Sequence, residues 1–251
     1  MNKNISVGAF VAPQVKLPSA IIIGPNAVIL AHADESLPKT ILEEQVEIGA
    51  NATVLEGVHI GFKARIMPAA VVMRSVPPLA IVQGNPAKII GYVNTPEQVQ
   101  DQPNSRNANQ PDIYYSTVRG VNLHTLKCVL DLRGSLSVGE FERDIPFTTK
   151  RYFLVFDVPT VETRGEHAHY ECHQFLIAVK GSVSVVADDG HHREEFLLAA
   201  PNIGLHLPPM TWGIQYNYSA DAVLLVFASH YYESKDYIRD YSEFIKQTEN
   251  R

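Results

Sequence analysis

Ile48–Gly61 reads IGANATVLEGVHIG and places an aliphatic residue at every sixth position. The spacing continues on both sides of this stretch, in two registers separated by a short insertion: Ile5, Val11, Leu17, Ile23 and Ile29, then Leu42, Ile48, Val54, Ile60, Ile66 and Val72. A six-residue apolar period fits neither an α-helix nor an ordinary amphipathic strand. It is typical of a β-solenoid with triangular coils, in which each hexad forms one flat face and small residues fit the tight corners.

Length and composition indicate a folded protein of about two domains. The chain has 251 residues, of which 45% are hydrophobic and 19% are charged, and its net charge is −6. This composition excludes a disordered chain, and the sequence has no apolar run long enough to cross a membrane. The acidic balance argues against a nucleic-acid partner. The presence of only 2 cysteines and the lack of an apolar leader after Met1 predict a reduced, cytoplasmic protein.

The polar segment TPEQVQDQPNSRNANQPD (Thr95–Asp112) separates two halves with different patterns. Its few apolar side chains do not offset the entropy cost of ordering it, so we interpret it as a linker. The alternative is a long surface loop within one domain, which is uncommon at this length. The predicted domains are residues 1–94 and 117–251, joined by a linker over residues 95–116.

The first half resembles the left-handed β-helix acyltransferases, which are built from hexapeptide repeats. The resemblance covers about residues 5–93 and rests on the repeats, on Ile48–Gly61 and on the exit segment VPPLAIVQGNPAKIIGYV (Val76–Val93). It implies an N-acetyltransferase for amino sugars that forms a trimer and binds acetyl-CoA between neighbouring solenoids. The predicted acetyl-CoA site comprises Lys63, Arg65, Lys88, Ala50 and Asn85. The alternative for its three basic residues is that they are ordinary surface charges.

The insertion AHADESLPKT (Ala31–Thr40) must loop out of a regular solenoid, and such loops often carry function. Acetyl transfer to an amine needs a base for the amine proton, and an imidazole with a pKa of about 6.5 suits that role. His32 and Asp34 are therefore the catalytic candidates, with a solvated loop histidine as the alternative for His32. The loop departs from the Asn-Asp-x-x-Pro-Arg form common in the family. We interpret His59 as an exposed corner residue, with catalysis as the alternative.

The second half has short strand-like segments separated by turn signals, which predicts a β-sandwich or barrel. A helix is predicted to follow over Lys235–Gln247. Within the strands, RGEHAHYECHQFLIAVKG (Arg164–Gly181) places His167 and His169 two positions apart, so both side chains point to the same side of a strand. This His-x-His motif, with a polar residue and a glycine after it, is the cupin pattern.

A metal-binding cupin adds a glutamate and a later histidine to this pair, but the corresponding positions hold Gln174 and Gly213. The histidine pair and a neutral amide form a poor ligand set for most metals. We therefore predict no metal cofactor, with ligation by His173 or His206 as the alternative. Two inward imidazoles without a metal suit acid–base chemistry, because a neutral imidazole removes a proton from carbon beside a ketone and returns it one atom away. The alternative is a pair of satisfied core residues.

The second half resembles the metal-free cupin sugar 3,4-ketoisomerases over about residues 118–247. The matching motifs occur in order along the chain: DIPFTTKRYFLVFDVP (Asp144–Pro159), RGEHAH (Arg164–His169), APNIGLHLPPMTW (Ala200–Trp212) and SKDYIRDYSEF (Ser234–Phe244). The resemblance implies that His169 is the base and His167 its partner, and it suggests Tyr152 as a further catalytic residue. The predicted substrate-binding residues are Arg164, Gln174, Trp212 and Arg151.

Together the halves predict a mainly β protein, with an N-terminal left-handed parallel β-helix and a C-terminal cupin (jelly-roll) domain that ends in a short helix. The resemblances imply a bifunctional enzyme of cytoplasmic dTDP-sugar synthesis for lipopolysaccharide. Its cupin would isomerise dTDP-4-keto-6-deoxyglucose to a gluco or galacto 3-keto sugar. After amination by a separate enzyme, the β-helix would N-acetylate the dTDP-3-amino sugar with acetyl-CoA.

A trimeric β-helix joined to a dimeric cupin predicts a hexamer. Two alternatives to the bifunctional enzyme stay open. In one, the β-helix of a ketoisomerase is only a trimerisation scaffold. In the other, the cupin binds a sugar nucleotide without turning it over.

Overall fold

The computed structural model describes residues 3–95, 112–132, 134–159 and 162–249. The chain divides into two compact units, Met1–Thr95 and Pro96–Arg251. Strands dominate both units, and the α-helix of the second unit has 9 residues. Within the described ranges, no helix has the length and apolar character needed to cross a membrane.

The first unit consists of very short strands. They are β1 (Lys3–Ile5), β2 (Phe10–Val11), β3 (Ile21–Ile23), β4 (Val28–Ile29), β5 (Ile41–Leu42), β6 (Val46–Ile48), β7 (Thr53–Val54), β8 (His59–Ile60), β9 (Arg65–Ile66), β10 (Val71–Val72), β11 (Ala80–Gln83) and β12 (Lys88–Tyr92).

These strands form a β-solenoid of about 4 turns, which confirms the predicted β-helix. One face contains β1, β3, β6, β9 and β11, a second contains β2, β4, β7 and β10, and a third contains β5 and β8. Successive coils are in parallel register, with Ile23 beside Ile48 and Ile48 beside Ile66. Each of these side chains is at most 2% exposed. The hexad aliphatics therefore form one continuous core along the axis.

The corners of the solenoid need small residues because successive coils approach closely. A Cβ atom at Gly49 would lie 2.5 Å from the backbone nitrogen of Pro68, and one at Gly24 would lie 2.7 Å from that of Ala50. Both distances are far below ordinary van der Waals contact. Glycine at these positions is thus set by the stacking of the coils rather than by the local turn.

The insertion Ala31–Thr40 lies between β4 and β5. The Thr40 hydroxyl donates a hydrogen bond to the carbonyl oxygen of Leu30 (2.8 Å) and accepts one from the backbone N–H of Gly57 (2.9 Å). This hydroxyl joins the two ends of the insertion to the neighbouring coil. At the far end of the solenoid, β12 pairs with β11 in the antiparallel direction.

The strands described for the second unit start at Asp112. Its strands are β13 (Asp112–Tyr115), β14 (Asn122–Thr125), β15 (Lys127–Asp131), β16 (Gly134–Val138), β17 (Arg151–Phe156), β18 (Arg164–His169), β19 (Gln174–Lys180), β20 (Val183–Asp188), β21 (Arg193–Leu198), β22 (Ile203–Leu207), β23 (Trp212–Tyr216), β24 (Val223–Ala228) and β25 (Tyr237–Ile238), followed by α1 (Tyr241–Glu249).

Two antiparallel sheets enclose the core of this unit, which confirms the predicted cupin fold. The strand order is β13-β14-β22-β19-β24-β17 in one sheet and β21-β20-β23-β18-β25 in the other. The apolar core contains fully buried side chains from both sheets, among them Leu176, Val185, Phe196, Leu205 and Val226. The alternation along each strand sends the intervening residues to the outer faces.

The end of the predicted linker belongs to the second unit. Residues 96–111 lie outside the described residues, but Asp112–Tyr115 forms β13 and pairs with β14. The Tyr114 hydroxyl also donates a hydrogen bond to the carboxylate of Glu194 (2.7 Å). Residues 112–115 of the predicted linker therefore form an edge strand in a sheet of the second unit.

The C-terminal helix begins later than the Lys235–Gln247 prediction. Ser234–Asp236 forms a 3-10 turn, Tyr237–Ile238 forms β25, and α1 starts at Tyr241. Helical spacing of the apolar residues is present throughout this segment, but pairing of β25 with β18 overrides it. The correction matters for the site described next, since this turn and strand lie against the histidine pair.

Candidate active site

His167 and His169 line one small cavity of the second unit. Their ring centroids are 5.0 Å apart and their planes meet at 82°. A β-bulge precedes them in β18, where Gly165 and Glu166 have φ angles of 81° and 54°. Glycine is required at position 165, because a Cβ atom there would lie 2.6 Å from the carbonyl oxygen of Gly213. The bulge therefore sets where the two histidines leave the strand.

Hydrogen bonds at Nδ1 fix the orientation of both imidazoles. Nδ1 of His167 lies 2.8 Å from the carbonyl oxygen of Gly165, and Nδ1 of His169 lies 2.8 Å from Oδ2 of Asp236. Both partners accept hydrogen bonds, so we assign the proton of each neutral ring to Nδ1. Nε2 of His169 lies 3.1 Å from the amide nitrogen of Gln174, which can donate to it. This arrangement leaves Nε2 as the basic atom of each ring.

Burial keeps the two imidazoles neutral. It lowers the pKa of His167, and it lowers the pKa of His169 to about 4, with the neighbouring His167 as the next cause. The Asp236 carboxylate raises the pKa of His169 but does not outweigh burial. At neutral pH the cavity therefore holds two imidazoles that are able to accept a proton.

Tyr237 lies against both histidines. Its ring centroid is 4.9 Å from that of His167 and 4.3 Å from that of His169. Its hydroxyl accepts a hydrogen bond of 3.4 Å from Arg151, and the guanidinium of Arg239 lies 4.3 Å from its ring centroid. Pairing of β25 with β18, in which Tyr237 is the partner of His169, produces this contact.

Tyr152, the predicted catalytic tyrosine, has a different environment. Its side chain is 68% exposed and alternates with the partly buried Arg151 and Phe153 along β17. Arg151 lies on the site side of that strand, since its guanidinium reaches Tyr237. The tyrosine beside the histidines is therefore Tyr237. It lies in the motif SKDYIRDYSEF, but the sequence predicted a helix there and did not assign this tyrosine to the site.

The other predicted substrate-binding residues have varied surroundings. Gln174 lines the cavity, and Arg164 is exposed at the start of β18. Trp212 is 4% exposed, and its ring centroid lies 5.2 Å from that of Tyr241 and 5.6 Å from that of Phe244. The indole therefore packs between the barrel and α1, and its predicted contact with substrate stays a prediction.

The other metal-ligand positions of a cupin do not fit a metal here. Gln174 and Gly213 line the cavity with the histidine pair and supply only a neutral amide and a hydrogen atom. His173 and His206 do not replace them, because they stack on each other elsewhere, with Nδ1 of His173 3.0 Å from Nε2 of His206. His206 pairs across the sheet with Phe175, whereas Gln174 pairs with Leu207, so it lies on the opposite sheet face from the cavity.

In the first unit, the predicted base His32 lies in the insertion. Its side chain is close to Gly57, because a Cβ atom built at Gly57 would lie 3.4 Å from Nε2 of His32. Asp34 instead accepts hydrogen bonds from the backbone N–H (2.9 Å) and hydroxyl (2.8 Å) of Ser36. These bonds lower the pKa of the Asp34 carboxyl. His59 is exposed, as expected, and pairs with Glu43 (2.7 Å), but it lies in β8 rather than at a corner.

The predicted acetyl-CoA residues lie on the solenoid surface and its corners. Lys63 has a φ angle of 56° at a corner, and its ammonium lies 5.0 Å from the ring centroid of Phe62. Arg65 forms an exposed ion pair with Glu47 (3.1 Å). Ala50 lies at the corner that Gly24 approaches, whereas Asn85 and Lys88 belong to the exit segment.

A family model described as WxcM-like, C-terminal (FdtA) matches residues 119–249. The chain belongs to this family. The match covers all of the cavity residues described above and confirms the resemblance inferred for the second half.

Relatives of the WxcM-like unit carry ketoisomerase names. A TDP-4-oxo-6-deoxy-alpha-D-glucose-3,4-oxoisomerase of Aneurinibacillus thermoaerophilus is 42% identical over 120 residues, which are 48% of this chain and 86% of that protein. The crystal structure of a 3,4-ketoisomerase from Helicobacter canadensis is 38% identical, with a TM-score of 0.50, over 52% of this chain and 98% of that one. A mutant of the 3,4-ketoisomerase QdtA from Thermoanaerobacterium thermosaccharolyticum, in complex with TDP-4-keto-6-deoxyglucose, is 34% identical, with a TM-score of 0.52, over 53% and 97% of the two chains.

The part of the chain before the WxcM-like unit matches acetyltransferases. The putative acetyltransferase YvoF of Bacillus subtilis is 36% identical over 112 residues, which are 41% of this chain and 63% of that protein. A tetrahydropyridine-dicarboxylate N-acetyltransferase of Staphylococcus aureus is 40% identical over 80 residues, which are 32% of each protein. This chain thus spans less than two thirds of either acetyltransferase.

Proposed function

We propose that the WxcM-like unit is a 3,4-ketoisomerase that acts on TDP-linked 4-keto-6-deoxyglucose. The observation that carries the proposal is the pair of neutral imidazoles in one cavity, each with its Nδ1 proton already bonded and its Nε2 basic. The names of the relatives supply the substrate class. A module that only binds sugar nucleotides would not need this arrangement.

In the proposed reaction, Nε2 of His169 removes the proton from C3 of the sugar. The electron pair of that C–H bond forms the C3–C4 double bond, and the C4 carbonyl oxygen takes up a proton to give an enediol. A proton then returns to C4, and the hydroxyl on C3 loses its proton as the new ketone forms. One proton leaves carbon and one returns, so the step needs no oxidant or reductant.

Asp236 is proposed to position His169 and to stabilise the imidazolium that forms. Its carboxylate accepts the Nδ1 hydrogen bond and is itself held by the backbone N–H of Glu171 (2.8 Å). His167 is proposed to handle the second proton, since its ring lies in the same cavity with Nδ1 bonded to Gly165. Tyr237, whose ring lies against both imidazoles, is proposed in place of Tyr152 as the candidate catalytic tyrosine.

Isotope exchange in heavy water tests this proposal. The full chain is incubated with TDP-4-keto-6-deoxyglucose in deuterated buffer, and the product is followed by NMR. We expect the 3-keto isomer to appear with deuterium incorporated at C4. Binding of the sugar nucleotide with neither isomerisation nor exchange would show a binding module instead. Activity is expected to survive treatment with EDTA, because Gln174 and Gly213 supply no metal ligands of the cupin type.

For the first unit, we infer an acetyl-CoA-dependent N-acetyltransferase that accepts a TDP-linked 3-amino sugar. The β-solenoid and the acetyltransferase relatives support the reaction class. The sugar follows from the second unit, because a 3-keto product becomes a 3-amino sugar after one transamination by another enzyme. His32 is the proposed base, whereas Asp34 is assigned to the loop turn in which its carboxylate bonds Ser36.

Release of free CoA thiol in the presence of the TDP-3-amino sugar tests the acetyltransferase. We expect turnover in the wild type and a loss of at least about a hundredfold in His32→Asn. Isomerisation is measured on the same variant as a control and should not change. An absence of acetyl transfer by the wild type would instead favour the alternative in which the solenoid is a scaffold.

A further inference from the structure

A second set of metal-ligating groups lies at the active-site cavity and shares only His169 with the cupin ligand positions. One ligand atom from each of His169, Cys172 and Asp236 lies within 4.8 Å of the others. His169 comes from β18, Cys172 from the loop before β19, and Asp236 from the 3-10 turn before β25. Cys172 is 2% exposed and also lines the cavity.

These groups are nitrogen, sulfur and oxygen donors, which is the combination that Zn²⁺ accepts in four-coordinate sites. Ligand atoms around a tetrahedral Zn²⁺ are separated by about 3.3–3.6 Å, given its usual bond lengths. The present atoms lie within 4.8 Å of one another, so their separations exceed this range by at most about 1.5 Å, and the ligands would have to move closer to bind the ion. The fourth position would face the cavity and hold a water molecule.

Metal binding would replace the present partners of these atoms. The Cys172 thiol makes only weak contacts, donating to the carbonyl oxygen of His173 at 3.4 Å and lying 3.9 Å from the hydroxyl of Ser229. Oδ1 of Asp236 accepts the backbone N–H of Glu171 (2.8 Å), whereas Oδ2 accepts the hydrogen bond from Nδ1 of His169 (2.8 Å), so a metal ion bound by Oδ2 must displace that second hydrogen bond. Binding would release the thiol proton.

We propose that His169, Cys172 and Asp236 form an inhibitory Zn²⁺ site. Its inhibitory effect rests on the proposed isomerase function, whereas the binding itself does not. A Zn²⁺ ion at Nε2 takes up the lone pair that would accept the C3 proton, and one at Nδ1 removes the Asp236 hydrogen bond. In either case the ion disables the base. The ion is thus proposed as an inhibitor of the isomerisation rather than as its cofactor.

Spectroscopy with Co²⁺ tests the binding without reference to activity. Thiolate ligation gives a sulfur-to-cobalt charge-transfer band in the near ultraviolet, which surface histidines and carboxylates do not produce. We expect this band in the full-length wild type, its displacement by one equivalent of Zn²⁺, and its loss in Cys172→Ser. Cys128→Ser is the matched control, because the other cysteine lies on β15, and it should retain the band.

Asp236→Asn provides a second variant, since it removes the carboxylate but leaves the thiol. Its affinity for Co²⁺ should fall by at least about tenfold while the band is retained at saturation. Circular dichroism confirms that each variant is folded. A wild type without the band, or a band that persists in Cys172→Ser, would overturn the site.

Inhibition is then measured on the isomerase, with each protein compared to its own metal-free rate. Zn²⁺ should inhibit the wild type and Cys128→Ser, EDTA should restore the rate, and Cys172→Ser should need at least about tenfold more Zn²⁺. Mg²⁺, which prefers oxygen ligands, should not inhibit. A cobalt band without inhibition would refute the inhibitory role, whereas a protein that shows the band but has no isomerase activity would refute the proposed function alone.

Discussion

At the residue scale, His169 is the group on which the proposed isomerisation depends. Replacement by asparagine keeps a polar side chain but removes the base, which is worth about 10²–10⁴ in rate. We expect His169→Asn to slow isomerisation by at least about a hundredfold and to leave TDP-sugar binding within a few-fold. His167→Asn should be less damaging. NMR of the product formed in deuterated buffer measures both variants, and near-normal exchange by His169→Asn would exclude it as the base.

The two tyrosines provide a matched pair of substitutions. Tyr237 contacts both imidazoles, whereas Tyr152 is 68% exposed on the outer side of β17. We expect Tyr237→Phe to lower the isomerisation rate by about tenfold or more, because it removes the hydroxyl beside the proton-transferring groups. Tyr152→Phe should change the rate less than about twofold. The steady-state rates of the two variants decide between them, and a larger loss in Tyr152→Phe would restore the assignment made from the sequence.

At the element scale, the coils of the solenoid depend on close backbone stacking. Gly49→Ala places a Cβ atom 2.5 Å from the nitrogen of Pro68, and backbone must shift to relieve that contact. We expect a loss of about 1–3 kcal/mol in the stability of the first unit. Gly91→Ala, in β12, is the control, since its Cβ would have no neighbour within 4 Å. Hydrogen exchange localised to the first unit measures both, and equal protection in the two variants would contradict the stacking argument.

At the scale of the whole molecule, buried neutral histidines make stability depend on pH. His206 and His124 are each 7% exposed, and Nδ1 of His206 and Nε2 of His124 have no hydrogen-bond partner in the described residues. Burial, then the nearby His173 and His124, lower the pKa of His206 to about 3. Burial also lowers the pKa of His124, although Asp144 opposes it. Phe147 and Phe175 supply apolar contacts to this cluster.

The direction in which stability changes with pH follows from the difference in proton uptake between the folded and unfolded states. Below a pH of about 6.5 the unfolded chain protonates these histidines while the folded protein does not, so stability falls as pH falls toward 3. For His206 alone, we expect a loss of about 2 kcal/mol between pH 8 and pH 5. Denaturant unfolding of the wild type and of His206→Gln at both pH values measures the contribution of His206 to this loss of stability. An identical pH dependence of the two proteins would remove His206 as a cause.

Assembly is the other prediction at this scale. The solenoid exposes apolar side chains on its outer faces, with Phe10 at 52% and Ile22 and Ile41 at 47%. Such residues are expected at an interface between copies of the unit. We predict a trimeric first unit and, with dimers of the second unit, a hexamer. Light scattering of the full chain measures the mass, and a monomer at micromolar concentration would contradict the prediction.

The sequence by itself determined the architecture of both units. The hexad aliphatics predicted the solenoid because each coil repeats one simple requirement, an apolar side chain on the axis and a small residue at the corner. The spacing of His167 and His169 predicted their shared cavity for a similar reason, since alternation along a strand is local. The sequence likewise indicated an altered ligand set, because Gln174 and Gly213 stand where a metal-binding cupin has a glutamate and a histidine.

Tertiary structure decided which groups complete the site. Asp236 and Tyr237 are 67 and 68 positions beyond His169 in the sequence, and they reach it because β25 pairs with β18 instead of extending the helix. The apolar spacing of that segment fits a helix equally well, so the local pattern could not select the strand. The surroundings of Trp212, which packs against α1, and of Tyr152, which is 68% exposed, were likewise beyond the sequence. Whether a side chain packs under α1, faces solvent or enters the cavity depends on contacts between distant strands, which no local periodicity encodes.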